Sequence, residues 1–292
     1  MTLFATGGYG RGELHPFSDV DLLLLSPNPI DEALNQKISP FVAKLWDIGI
    51  DPALVVRSVE ECDEACHDDI TVATSLLEAR ILAGNIAQAG LPMQLLNKNW
   101  SQTKFYEAKM AEAKERYLKH NSTEYNLEPD LKNAPGGLRD IHTVSWISKR
   151  YFRVTNLFGL VQQEFITEKE FDELQEAEDF LWLIRHHLHK IAKRNENRVL
   201  FDYQRLIAER IGYRDNSHPN AAVEQFMRDY YRYAMSNSTL SEMLTQHYYE
   251  TLIEARLPDE QRPMHKVINE RFKLVDDRIA VTLSLIHISE PT

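Results

Sequence analysis

The apolar positions of this chain change their period along its length. Two short, largely apolar runs near the start, residues 3–6 and 20–25, are too short to stand alone as helices and read as buried strands. Pro27-Asn28-Pro29 breaks the chain before a helical stretch over 31–46, where Pro40 is placed to kink it, and 55–57 offers a third strand. Residues 71–83 carry Leu76, Leu77, Ile81 and Leu82 at helical spacing and are followed by Gly84, so one helix with a glycine stop is predicted there. From about residue 88 the pattern is helical, with helices predicted over 105–120, 140–153, 168–194, 204–211 and 221–249. An Asn-, Pro- and Gly-rich loop over 121–137 interrupts them. The predicted fold class is α+β: a small mixed β-sheet domain over 1–87, then an α-helical bundle domain over 88–250 that includes the 121–139 loop. Residues 251–283 read as a partial C-terminal extension.

The candidate chemistry lies between the first two strands. Gly7-Gly8-Tyr9-Gly10-Arg11-Gly12 leads into Ser18-Asp19-Val20-Asp21 at the start of the second strand. Strand side chains alternate, so Asp19 and Asp21 share one face while Val20 points away. Two crowded carboxylates repel unless a cation sits between them, and Mg2+ suits a site that offers carboxylates beside substrate phosphates. Gly7 and Gly8 let the backbone turn and approach a phosphate closely, Arg11 can fork onto phosphate oxygens, and Ser18 completes the set. The same residues also suit a plain hairpin turn with Ser18 and Asp19 as turn residues.

Composition narrows the class. The 292 residues, 43% of them hydrophobic, suffice for about two domains with sizeable cores. A net charge of −11 argues against a sequence-blind nucleic-acid binder, because such binding rests on basic side chains. Cys62 and Cys66, the two cysteines, are four apart in an acidic helical stretch. They read as small apolar helix residues, not as a disulfide framework or, with His67, a zinc site. His186, His187 and His189 diverge around a helix and read as partly exposed surface. No charged leader precedes the glycines and no apolar run approaches membrane-spanning length, so a cytoplasmic chain with no membrane contact is expected.

The string Gly-Gly-Tyr-Gly-Arg-Gly-Glu-Leu-x-Pro-x-Ser-Asp-x-Asp-Leu-Leu resembles the polymerase β-like nucleotidyltransferase superfamily. Within it, the chain is similar to the bacterial PII uridylyltransferase/uridylyl-removing family. Further segments agree, among them Leu45-Trp46-Asp47-Ile48-Gly49, Asn126-Leu127-Glu128-Pro129-Asp130-Leu131-Lys132 and Pro135-Gly136-Gly137-Leu138-Arg139-Asp140, and the likeness runs over about residues 3–280. The resemblance implies transfer of UMP from UTP to a tyrosine hydroxyl of the PII signal protein, with Mg2+ as cofactor. It matches Asp19 and Asp21 to the metal-binding pair, and Gly7 and Gly8 to the phosphate turn. A third carboxylate is expected shortly after the Trp-Asp-x-Gly segment, at Asp51, which also suits an Asp-Pro turn. Lys132 and Arg139 belong to a family signature loop that reads either as closing over a ligand, with these two touching the triphosphate or positioning the helical domain, or as an interdomain turn with Asp140 near the next helix's N-terminus. An adenylyltransferase of the glutamine-synthetase-modifying type and a non-catalytic fragment that binds PII or nucleotide remain alternatives. No His-Asp phosphohydrolase segment or pair of regulatory domains is read after about residue 280, so uridylyl removal is not expected of this polypeptide. Residues 284–292 depart from the family continuation and are assigned no structure.

Overall fold

The computed structural model describes residues 1–120, 126–214, 218, 220–254, 257, 265–268, 272–275 and 278–281. The 284–292 tail, the first residues of the 121–137 loop and much of 251–283 therefore lie outside the described residues.

Strands β1 (Thr2–Ala5), β2 (Val20–Ser26), β3 (Pro52–Ser58) and β4 (Arg80–Gly84) form a mixed sheet in the order β3-β2-β1-β4. The sheet is built on β2, whose Leu22, Leu23, Leu24 and Leu25 are all buried. β1 runs antiparallel to β2 and β4, whereas β2 and β3 are parallel and are joined by helix α2 (Glu32–Asp47) as their crossover. Asp31 caps α2 by accepting from Leu34 N–H, and the helix continues through Pro40.

Three sequence expectations change here. The glycine segment is not a free turn but a five-residue helix, α1 (Gly7–Arg11), closed by Gly12 in the left-handed region. The third strand is longer than residues 55–57 and begins at Pro52, whose missing N–H costs nothing at the first residue of an edge strand. The helix expected over 71–83 is two elements: α4 (Ile70–Leu77) stops early, and Arg80–Gly84 becomes β4, with Ile81 opposite Phe4. A short apolar pair fits either period, and the open edge of β1 supplies the backbone partners that decide it.

Helices α3 (Val59–Asp68) and α5 (Leu91–Asn99) complete the first layer with α4. Ser58 and Glu61 cap α3 reciprocally. One core joins Phe4, Leu23 and Leu25 of the sheet to Leu76, Leu96, Phe105 and Trp146. Cys62 and Cys66 are fully buried in that core as free thiols, and burial pushes both up to about 11. A fully buried Leu or Phe contributes about 2 kcal/mol, so such a core holds sheet and helices as one layer.

The helical part consists of α6 (Gln102–Lys119), α7 (Leu138–Phe152), α8 (Phe158–Gln162), α9 (Glu168–Ala192), α10 (Phe201–Ile211) and α11 (Ala221–Tyr248). α9 packs against both α10 and α11 around Leu181, Ile184, Leu188, Ile207, Phe226 and Tyr230. A second core holds Val144, Ile147, Leu174, Leu244 and Tyr248. His186 and His187 are half-buried, but His189 is fully buried, which corrects the reading of this run as surface: it faces inward on the α9 stripe that meets His15. Beyond the bundle, β5 (His265–Val267), β6 (Phe272–Val275) and β7 (Arg278–Val281) pair antiparallel in a separate sheet. Among the described residues, no helix is long and apolar enough to cross a membrane.

Candidate active site

A cavity of about 420 Å3 lies where the carboxylate end of β2 meets the helical part. Gly7, Gly8, Arg11, Ser18, Asp19 and Asp21 line it from the sheet side. Thr6 N–H donates to Asp21 C=O at 3.1 Å, which brings α1 directly over the strand end. Gly7 has φ +52, and a Cβ there would collide with the Asp21 carboxylate, so glycine is required on both counts. Burial, and then the charge of Asp19, push the Asp21 carboxyl up from its ordinary range. Asp19 is exposed and Asp21 half-buried, and two carboxylates whose charges disfavour one another make a donor set that fits a divalent cation.

Asp51 stands apart from this group. It is exposed, immediately precedes β3, and accepts from Val20 N–H through its carbonyl at 2.8 Å. The register that sets Val20 opposite Pro52 and Asp21 opposite Ala53 puts Asp51 next to Asp19 across the parallel pair. It is not among the residues that line the cavity.

Arg11 is engaged more fully than its sequence position suggests. Its Nε donates to Glu13 Oε2 and its Nη1 to Glu78 Oε1, each at 2.5 Å, and the two carboxylates outweigh burial to raise its pKa. Glu78, buried at the end of α4, also accepts from Trp146 Nε1 of α7 at 2.5 Å. This acid lines the cavity and fastens the sheet part to the helical part. Nothing in the sequence spacing marked it, because its partners are 67 and 68 residues away.

Glu13 is also 3.4 Å from His142 Nε2. Burial acts upward on Glu13, but His142 and Arg11 outweigh it and bring the carboxyl down to about 2. Burial pushes His142 down to about 3, so it is neutral at pH 7. Glu13, His142 and Glu178 form the one group among the described residues with three ligand-type atoms within 4.8 Å of one another. Arg11 already neutralises Glu13 there, so the group reads as an ion-pair network.

The helical part supplies cations. Leu138 N–H donates to Leu131 C=O and Arg139 N–H to Lys132 C=O, each at 2.9 Å, so the signature loop folds back on itself and aims Lys132 and Arg139 into the cavity. The loop is locked into the bundle. Asn237, fully buried on α11, donates to the carbonyls of Gly136 and Gly137, and Asp140 accepts from Gly136 N–H and from Arg116. Neither the Lys132 ammonium nor the Arg139 guanidinium has an ion-pair partner among the described residues. Burial, then Arg139 and Arg185, bring Lys132 down to about 8. Burial, then Arg11, also lower Arg139.

Sequence reasoning missed Lys109, Arg116, Arg185, Glu78, Trp182 and His142, which also line the cavity. Lys109 is nearly fully buried, pairs with Glu112 at 2.5 Å and lies 4.0 Å over the Trp146 ring. The available signal was helical spacing, since Trp182 and Arg185 are three apart on α9. A polar stripe facing a site and one facing water look alike in sequence.

A nucleotidyltransferase domain matches residues 2–75, and the GlnD PII-uridylyltransferase domain matches residues 104–245. The chain belongs to the PII-uridylyltransferase family. It is 62% identical over 96% of its length to a bifunctional uridylyltransferase/uridylyl-removing enzyme of Psychrobacter sp. (strain PRwf-1). It is 59% identical over its whole length to the protein of that name in Psychrobacter cryohalolentis, and 50% identical to that of Acinetobacter baumannii. The chain spans about a third of the length of these relatives, 31–33% in the three cases. The two domain matches divide the cavity: Asp19 and Asp21 fall in the first, and Lys132, Arg139 and Arg185 in the second. Glu78, which ties this family member's two halves together, falls between them.

Proposed function

We propose that this chain transfers UMP from UTP to a tyrosine hydroxyl of the PII signal protein, releasing pyrophosphate. One observation carries the reading: a single cavity faces the Asp19 and Asp21 carboxylates with the unpaired cations Lys132 and Arg139. That is the charge arrangement a metal-bound triphosphate requires.

Gly7 and Gly8 admit the phosphates close to the backbone of α1, with Ser18 beside them. Lys132 and Arg139 neutralise phosphate oxygens. Arg11, held by Glu13 and Glu78, is fixed in place at the cavity wall. Asp19 and Asp21 would hold Mg2+, which would supply charge neutralisation to the phosphate chemistry. The acceptor oxygen forms a bond to the α-phosphorus, the bond to the bridging oxygen breaks, and pyrophosphate leaves. A phenol has a pKa near 10, so its proton must pass to a base at neutral pH. Asp51, in register beside Asp19, is the proposed base and third carboxylate.

The domain division proposed is 1–87 for nucleotidyl transfer and 88–250 for the helical part. The net charge of −11 supports a protein acceptor over nucleic acid, and a cytoplasmic location suits the family's substrates. Incubation with labelled UTP or ATP, Mg2+ and PII tests the reading. Label on PII from UTP alone is the expected result. Label on another protein from ATP, or no transfer by a folded chain, would overturn it.

A further inference from the structure

Helix α9 carries Glu178, Trp182, Arg185 and His189 at intervals of four, three and four residues, which places all four on one face. That face meets the segment between the glycines and the carboxylates. The Trp182 ring lies 4.3 Å from that of His15, and His189 lies 5.4 Å from it on the other turn. Trp182 and Arg185 both line the catalytic cavity.

Two polar groups of this pair lack the partner that would balance them. Arg185 is only 7% exposed, yet its hydrogen bonds go to neutral amide oxygens, Asn197 Oδ1 at 2.7 Å and Asn195 Oδ1 at 3.4 Å. No carboxylate pairs with it among the described residues, and burial holds it down to about 10. A buried guanidinium fixed by amides on one side and facing a cavity is suited to an anion that arrives there. Trp182 is half-buried at the cavity, and its indole N–H has no hydrogen-bond partner among the described residues.

We propose that Trp182 and Arg185 form a nucleotide subsite, in which Trp182 packs on the face of the nucleobase and Arg185 pairs with a phosphate of the same molecule. This rests on the nucleotidyltransferase reading. The two side chains stand one helical turn apart, about 5–6 Å between their Cβ atoms, so one mononucleotide can span them. The alternative occupant of Trp182 is the acceptor's phenol ring, but that ring gives Arg185 no anion. Stacking is tolerant of base identity, because every base has a π-face. Trp182 therefore supplies affinity to UTP and ATP alike, and the choice of base lies elsewhere in the cavity.

The test is nucleotide binding by the unaltered chain and its variants in Mg2+ without PII, followed by calorimetry. Trp182→Leu is expected to raise the Kd for UTP and for ATP by about tenfold, and Trp182→Phe by no more than about threefold. Uridine, which lacks phosphate, is expected to lose affinity in Trp182→Leu but not in Arg185→Gln. Unchanged UTP affinity in Trp182→Leu, or a loss confined to the KM for PII, overturns the subsite while leaving the transferase reading standing. Absence of any UTP binding by the unaltered chain sinks that reading itself. Should Trp182→Leu fail to fold by circular dichroism, photocrosslinking of the unaltered chain with 5-iodo-UTP decides. A crosslink at Trp182 supports the proposal, and crosslinks confined to other peptides reject it.

Discussion

The backbone N–H of Arg139 donates to the carbonyl of Lys132 at 2.9 Å, across seven positions of chain. The bond closes the signature loop beneath two half-buried cations that line one cavity. Their charges repel one another within the cavity, and a polyanion bound there relieves that repulsion.

That repulsion gives a pH dependence. Lys132 titrates near 8 in the folded chain, against an ordinary value of 10.5, chiefly because it is buried. UTP affinity is therefore expected to weaken as pH rises through about 8, where the ammonium loses its proton. Lys132→Arg, which stays charged, should remove that limb of the binding curve. Stability is expected to move the opposite way: between about 8 and 10.5 the unfolded chain binds more protons at this position, so the fold gains stability as pH rises. Thermal melts across that window of the unaltered chain and of Lys132→Met, in which this gain should be absent, check the sign.

The carboxylates separate function from stability. Asp19→Asn and Asp21→Asn are each expected to lower UMP transfer by more than about a hundredfold, the scale for losing a preorganised charge contact. Because burial and Asp19 already disfavour the Asp21 anion, Asp21→Asn should leave the melting temperature unchanged or raise it. Transfer assays beside thermal melts read both effects. Retained activity in either variant is incompatible with the proposed site. Asp51→Asn is expected to reduce transfer similarly, and near-normal rates would make Asp51 a turn residue.

The Arg11–Glu78 pair should behave as a buried ion pair. Glu78→Ala strands the Arg11 Nη1 and the Trp146 indole N–H, and is expected to cost roughly 3–5 kcal/mol in chemical denaturation. The double variant Arg11→Met, Glu78→Met should recover much of that loss. An additive double-mutant cycle would show that the two residues do not interact.

Gly136 has φ +76, and a Cβ there would run into the carbonyl of Ala234 on α11. Gly136→Ala is expected to destabilise the chain by at least about 1–3 kcal/mol through backbone strain alone. Gly212, also at positive φ but with open space around it, provides the control: Gly212→Ala should cost about 1 kcal/mol. Equal losses in the two variants would argue against the close approach to α11.

Much of this architecture was legible in the sequence because burial leaves a period. The leucines of β2 and the long helices α9 and α11 announce themselves by that route. β4 was hidden because Ile81 and Leu82 satisfy either period, and the deciding partner, Phe4, is remote in sequence. Asp19 and Asp21 stood out only through the whole string of glycines, Arg11, Ser18 and the apolar run that follows, and the structure brings both to the same cavity. Glu78 and Arg185 did not stand out, since an acid at a helix end and an arginine in mid-helix are ordinary until tertiary contacts bury them.

In the proposed site the carboxylates come from the sheet half and the locked cations from the helical half, so neither half alone lines the whole cavity. Docking across Arg11, Glu78 and Trp146 thus works as a logical AND. A chain divided in the loop between α5 and α6 would yield two inert pieces whose mixing restores turnover, which makes activity itself a reporter of assembly.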